Sequence, residues 1–184
     1  APLVIGAVAA GTAYVLTDRR TTGSQVDDQT IQLRLADELR AVFASQPVHI
    51  NVNSFDRKVL LTGEVPDEAA KLRAGSVAAA SQNVRDVVNE LAVMPPTTTS
   101  QRASDTALSA KVRAALINTR EVEVNSIKFV TERSIVYLMG YVTDKEAQIA
   151  AIVASKVAGV KQVVKVFDIA TQDEVNQRRL MAPK

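Results

Sequence analysis

The segment VLLTGEV at residues 59–65 returns as VYLMGYV at residues 136–142, about 77 positions further along the chain. The surrounding sequence returns as well, because NVRDVV at residues 83–88 is repeated as GVKQVV at residues 159–164. Apolar and glycine positions match between the copies, whereas charged positions differ. A duplicated reactive site would have kept its polar residues, so this repeat duplicates a fold. The sequence therefore predicts two similar domains in tandem.

Each copy begins with a predicted helix. Apolar residues recur there at a spacing of three to four, and Asp28 and Asp105 precede them where a helix N-cap is expected. Thr143 and Glu146 have the spacing of a capping box, which predicts the start of a second, alanine-rich helix. The repeated apolar positions are Ile31, Leu35 and Leu39 in the first copy and Leu108, Val112 and Leu116 in the second.

Strand periodicity follows the first helix and closes each copy. Val48, Ile50 and Val52 alternate with polar residues, and the repeated heptapeptide follows after a short turn. Each copy therefore reads helix, strand, strand, helix, strand. The predicted fold class is α+β, with two tandem αββαβ domains, each a three-stranded mixed sheet with two helices on one face.

The predicted boundaries divide the chain into five parts. An apolar leader without charge up to residue 16 and a polar stretch that is predicted to be flexible precede the first domain, and a linker rich in proline and threonine joins the two domains. The parts are a leader and linker at 1–27, domain 1 at 28–93, a linker at 94–104, domain 2 at 105–169 and a polar tail at 170–184.

Four positions are predicted to be structural. We interpret Gly63 and Gly140 as places where a strand passes beneath a helix or twists sharply, so that a side chain would not fit. We expect the second helix of each copy to end at Asn83 and at Gly159, because Asn and Gly best tolerate the left-handed conformation that closes a helix.

Composition excludes several classes of function. The chain has no cysteine and one histidine, which leaves little for metal binding or for thiolate and general-base catalysis. His49 alternates with core residues of a strand, so we interpret it as solvated or hydrogen-bonded and not as a ligand. The acidic pairs at 27–28 and 67–68 are interpreted as helix caps rather than catalytic carboxylates. No cofactor, no metal site and no catalytic residue is predicted.

Charge differs between the halves. Residues 1–103 carry 10 basic and 11 acidic side chains, whereas residues 104–184 carry 12 and 9. The second half is therefore the better partner for an anionic surface, although the excess is too small for a nucleic-acid-binding protein. No nucleic-acid partner is expected.

The repeated motif resembles the BON domain family. Val-x-Leu-x-Gly-x-Val at residues 59–65 and 136–142, an alanine-rich helix and Gly-Val-x-x-Val-Val at residues 159–164 are the positions that carry the resemblance. Two copies behind a short apolar leader resemble the dual-BON outer-membrane lipoproteins. The resemblance covers nearly all of residues 24–169.

This resemblance implies a non-enzymatic function at the cell envelope. It implies a monomer on the periplasmic face of the outer membrane, anchored through a lipidated cysteine expected just before Ala1, supporting envelope integrity and contacting other envelope proteins. It also implies that anionic phospholipid binds mainly to the second domain. The alternative is a soluble periplasmic protein-interaction module. The expected lipid-binding residues are Ala107, Leu108, Lys111, Val112, Arg113 and Arg120.

The sheet faces that the helices leave uncovered remain open to two interpretations. In domain 2 this face is mostly apolar, with Tyr137, Met139 and Tyr141, whereas its counterpart in domain 1 is mostly polar. The apolar face can pack against the other domain or bind a partner or membrane surface.

Overall fold

The computed structural model describes residues 18–181, so the apolar leader of residues 1–17 lies outside the described residues. Each domain has the predicted order of helix, strand, strand, helix and strand, which confirms the α+β fold class. Domain 1 contains α1 (Thr22–Val42), β1 (His49–Phe55), β2 (Lys58–Val65), α2 (Glu68–Ala80), β3 (Asp86–Asn89) and β4 (Ala92–Val93). Domain 2 contains α3 (Thr99–Ile117), a 3₁₀ turn (Val124–Ser126), β5 (Ile127–Glu132), β6 (Ile135–Thr143), α4 (Asp144–Ser155) and β7 (Gln162–Ala170).

Both sheets place the repeated heptapeptide at their centre. In domain 1, β2 pairs antiparallel with β1 and parallel with β3 and β4. The closing strand forms two short segments, which are separated by Glu90 and Leu91. In domain 2, β6 pairs antiparallel with β5 and parallel with β7, which is continuous. Both sheets are mixed, as predicted.

The first helices begin earlier than predicted. The side chains of Thr21 and Thr98 accept hydrogen bonds from the backbone three residues on, and these threonines are the N-caps. Residues 22–27 and 99–104, expected to lie in linkers, are therefore the first turns of α1 and α3. Sequence periodicity missed these turns because they carry almost no apolar residues.

Asp28 and Asp105 are consequently not caps. Each is buried one and a half turns inside its helix and accepts hydrogen bonds from the turn of its own β-hairpin. The turns need this support because all four of their residues have positive φ, which is unfavourable for residues other than glycine. Those residues are Asp56, Arg57, Arg133 and Ser134.

The second helices end earlier than predicted. The α2 helix ends at Ala80 and α4 ends at Ser155. Asn83 and Gly159 do have positive φ, 67° and 99°, but they lie in the turns that follow the helices. The capping box at the start of α4 is present, with Thr143 and Glu146 bonded in both directions.

A shared core joins the two domains. Each domain has its own core between helices and sheet, and a third apolar cluster lies where the uncovered faces of the two sheets meet. Phe55 and Leu60 of domain 1 pack there with Tyr137, Met139 and Val166 of domain 2. The apolar face of domain 2 is thus covered by the other domain, which was the first of the two interpretations left open by the sequence.

The C-terminal tail also forms structure. Residues predicted as a polar tail contain α5 (Gln172–Met181), which returns to the domain interface. Arg178 of this helix forms an ion pair with Asp56 of domain 1 and lies 3.5 Å from the ring centre of Tyr141 in domain 2.

Candidate functional site

The α3 helix presents only positive charge to solvent. Its one acidic residue, Asp105, is buried beneath the helix, and its basic residues are Arg102, Lys111 and Arg113. The equivalent α1 helix of domain 1 differs, because it carries exposed Asp27 and Asp37. The second domain therefore has the helix that an anionic surface would attract.

The six residues predicted to bind lipid differ in their exposure to solvent. Ala107, Lys111 and Arg120 are exposed, and Arg113 is partly buried. Leu108 and Val112 face the sheet and are buried, so they support the helix from beneath. A further exposed apolar residue, Ile117 (60% exposed), lies on the outer side at the C-terminal end of α3 and was not among the predicted residues.

Small residues dominate the outer face of α3. Exposed positions recur at helical spacing, which keeps them on one side of the helix. The face is apolar but shallow, and Lys111 is its one basic residue. It consists of Ala103, Ala107, Ala110, Lys111, Ala114 and Ile117.

Beside this face, Arg113 lines a cleft of about 280 Å³ between α3 and β5. Its guanidinium donates a 2.8 Å hydrogen bond to Asn125 and lies 6.0 Å from the ring centre of Phe129. These contacts fix the position of the charge beside the cleft. Lys128 lines the same cleft from β5.

Lys128 is held mainly by the first domain. Its ammonium group donates hydrogen bonds to the side chain of Gln32 and to the backbone carbonyl of Ser54. Burial, with the nearby charge of Arg20, lowers the pKa of Lys128 to about 8. It is therefore a component of the interface rather than a free surface charge.

A polar network in the domain interface was not expected from the sequence. His49 Nδ1 lies 3.1 Å from Oε1 of the fully buried Glu64, and Arg133 of domain 2 donates to Oε2 of the same carboxylate. Asn51 donates to Glu132, which is also buried, and its amide nitrogen lies 3.4 Å from His49 Nε2. The sequence signal was the polar face of β1 and β2, but nothing in it showed that residues 49–64 meet residues 132–133.

The two carboxylates of this network differ in proton affinity. Burial acts to raise the pKa of Glu64, but hydrogen bonds from the Thr97 N–H and from His49 outweigh it and hold the pKa below its usual value. Burial raises the pKa of Glu132 against the opposing hydrogen bond from Asn51. His49, predicted to be hydrogen-bonded or solvated, is hydrogen-bonded.

Gly63 and Gly140 were expected where a strand passes beneath a helix or twists sharply, and their close contacts are with the backbone of the β1 strand and of the residue before β5 rather than with a helix. Gly63 has a φ of 115°, and a Cβ there would lie 1.9 Å from the carbonyl oxygen of His49 on β1. At Gly140 a Cβ would lie 2.5 Å from the carbonyl oxygen of Ser126, which directly precedes β5. Both contacts are with backbone atoms that cannot swing aside.

Comparison with known proteins agrees with this architecture. The model of the BON domain family matches residues 27–95 and 104–171, which is most of the chain, so the chain belongs to the BON domain family. It is 38% identical over 164 residues to the outer membrane lipoprotein DolP of Haemophilus influenzae, covering 88% of this chain and 83% of that protein. It is also 32% identical over 152 residues to a 21 kDa hemolysin of Actinobacillus pleuropneumoniae, covering 82% of this chain and 78% of that protein.

Across residues 18–181, no helix combines the length and apolar character that crossing a membrane requires.

Proposed function

We propose that this protein is a non-enzymatic, phospholipid-binding lipoprotein of the cell envelope that supports outer-membrane integrity. Its relationship to a protein named an outer membrane lipoprotein supports the location. The observation that carries the lipid-binding proposal is the charge of α3: no acidic side chain is exposed on this helix, whereas α1 exposes two.

The proposed contact is the outer face of α3. Ala107 and Ile117 give this face apolar area without deep insertion, and Lys111 sits between them. Arg113 and Arg120 lie at its margins. A basic residue close to an anionic surface contributes about 1 kcal/mol to binding, so the affinity depends on a few charges. Binding of this kind weakens as salt rises.

Co-sedimentation with vesicles tests the proposal. The purified protein is incubated with vesicles of phosphatidylglycerol and phosphatidylcholine, and in parallel with phosphatidylcholine alone. We expect binding to the anionic vesicles only, and Lys111→Ala to weaken it about five-fold, the factor that corresponds to about 1 kcal/mol.

The chain offers a matched control. Arg34 of α1 is the repeat equivalent of Lys111, and Arg34→Ala removes the same charge from the first domain. We expect Arg34→Ala to bind as the unchanged protein does. Equal binding to both kinds of vesicle would disprove the electrostatic mechanism, and no binding to either would favour the alternative of a protein-interaction module.

We also propose that the mature protein is anchored by a lipidated cysteine just before Ala1. The anchor would keep the protein at the membrane, and α3 would then select anionic regions of it. Mass spectrometry of the N-terminal peptide of the protein isolated from membranes tests this. An unmodified N-terminus would disprove the anchor and leave the α3 proposal to the vesicle experiment.

A further inference from the structure

Three side chains with metal-ligating atoms meet where the two sheets face each other. His49 and Glu64 come from domain 1 and Glu132 from domain 2, and their ligand atoms all lie within 4.8 Å of one another. Both carboxylates are buried, with Glu64 0% and Glu132 3% exposed. His49 and Glu64 are opposite each other on β1 and β2, and the packing of the domains adds Glu132 to them.

We propose that His49, Glu64 and Glu132 bind one divalent transition-metal ion, of the kind represented by Zn²⁺ or Mn²⁺, that links the two domains. One imidazole nitrogen and two carboxylate oxygens suit these ions better than Ca²⁺, which prefers six to eight oxygen ligands. Zinc lies about 2.0–2.2 Å from such atoms, so ligand atoms around it are about 3.3 Å apart. His49 Nδ1 and Glu64 Oε1 are already 3.1 Å apart.

The charges around the cluster leave room for a cation. Two buried carboxylates face one guanidinium, that of Arg133, which bonds to Oε2 of Glu64. Oε1 of Glu64 is directed to His49 and also accepts a 2.7 Å hydrogen bond from the Thr97 N–H. Glu132 accepts its hydrogen bond from the neutral amide of Asn51. A metal ion would supply the missing positive charge at the same place.

A fourth polar group in the same interface has no hydrogen-bond partner within residues 18–181. The hydroxyl of Thr62 forms no hydrogen bond among these residues, although Thr62 is fully buried and bulk water cannot replace the missing partner. It lies on β2 two residues before Glu64, on the same face of the strand, and opposite Asn51 on β1. A buried unpaired hydroxyl is unfavourable, and a water bound to a metal ion in this interface would give it a partner.

The surrounding residues can orient the ligands. Arg133 fixes Glu64 through the oxygen that the metal does not need, and Asn51 adjoins His49 Nε2. For Nδ1 to bind a metal, neutral His49 must carry its proton on Nε2. In that tautomer Nε2–H donates a hydrogen bond to the amide oxygen of Asn51 once the amide is flipped. The flipped amide no longer donates to Glu132, which is then free to bind the metal.

Titration of the full chain, freed of metal by dialysis against a chelator, tests the proposal. We expect one equivalent of Zn²⁺ to bind in isothermal titration calorimetry and to raise the melting temperature, and Mg²⁺ to do neither. Co²⁺ is a second probe, because coordination by His49 would give a visible absorption band that a loosely held surface ion lacks.

Variants locate the site. His49→Gln and Glu132→Gln should each weaken Zn²⁺ binding at least ten-fold, whereas Glu121→Gln, an exposed carboxylate of domain 2, should leave it unchanged. Melting of each metal-free variant shows whether it is folded. Absence of saturable Zn²⁺ binding, or binding that neither His49→Gln nor Glu132→Gln weakens, would overturn the inference.

Discussion

Asp105 makes in the second domain the contact that Asp28 makes in the first: each buried carboxylate accepts two backbone hydrogen bonds from the hairpin turn of its own sheet. The bonds to Asp28 measure 2.8 and 2.9 Å, and both bonds to Asp105 measure 2.9 Å. The turns at residues 56–57 and 133–134 have positive φ throughout. The carboxylates offset that strain with charge-assisted bonds and fix the first helix of each domain to its sheet.

Replacing Asp105 with Asn should destabilise the protein by about 2–3 kcal/mol. An amide offers one acceptor, so its NH₂ group would face one of the two turn N–H groups and leave that donor unbonded. Urea denaturation followed by circular dichroism measures the change. Asp37→Asn, at an exposed carboxylate of α1, is the control and should stay within about 0.5 kcal/mol. A similar small effect at Asp105 would show that the turn does not need the carboxylate.

Asp28 and Asp105 show which part of the structure could be predicted from the sequence and which part could not. Their repeated positions were visible, and a carboxylate near a helix start favours a capping role. Capping is a local property, whereas the observed contact reaches 28 residues along the chain to a hairpin turn. Periodicity could not reveal that contact, nor the polar helix turns at residues 22–27 and 99–104.

Alanine substitutions at Gly63, Gly140 and Gly23 should differ in their effect on the free energy of unfolding, with the largest loss at Gly63 and none at Gly23. Gly63→Ala should cost about 3–5 kcal/mol because it combines a disfavoured φ with a clash against a backbone oxygen. Gly140→Ala should cost about 1–3 kcal/mol, since only the clash applies there. Gly23→Ala is the control, because the nearest atom to its Cβ would be 3.9 Å away and alanine favours the helix.

Thermal and urea denaturation of the three variants measure this order. Gly23→Ala should be neutral or slightly stabilising. A Gly140→Ala variant as stable as the unchanged protein would show that β5 can move away from β6, and that this glycine is not needed for packing.

The interface divides into a part that the sequence could indicate and a part that it could not. An apolar face with Tyr137, Met139 and Tyr141 indicates burial, because it cannot remain in water. Which surface covers it depends on the path of a linker, and that path has no periodic signal. The polar network of His49 and Glu132 depends on the same packing, so sequence reasoning treated His49 alone.

Truncating Met139 to Ala should destabilise both domains together, by about 2–5 kcal/mol. Met139 is fully buried in the core shared with Phe55 and Leu60, so the cavity would lie between the domains. Amide NMR signals of the two domains, followed through urea denaturation, should shift to the same lower midpoint. Ile152→Ala, an exposed apolar residue of α4, is the control. An unchanged midpoint for domain 1 would show that the domains unfold independently.

Stability should rise with pH above about 8 because of Lys128. Burial and the charge of Arg20 lower its pKa in the folded protein to about 8, whereas Asp28 and Asp18 oppose this and the unfolded chain has the usual value of about 10.4. Between these values the unfolded chain binds more protons than the folded protein, so raising the pH favours folding. The full range corresponds to about 3 kcal/mol.

Lys128→Met isolates this contribution. Free energies of unfolding are measured in urea at pH 7.5, 9 and 10.5 for the unchanged protein, for Lys128→Met and for Lys111→Met, whose lysine is exposed on α3. We expect the unchanged protein and Lys111→Met to share one pH dependence. Relative to both, Lys128→Met should lose the rise above pH 8, because it carries no titrating group in the interface. Parallel curves for all three proteins would show that Lys128 keeps its ordinary proton affinity and that water reaches its ammonium group between the domains.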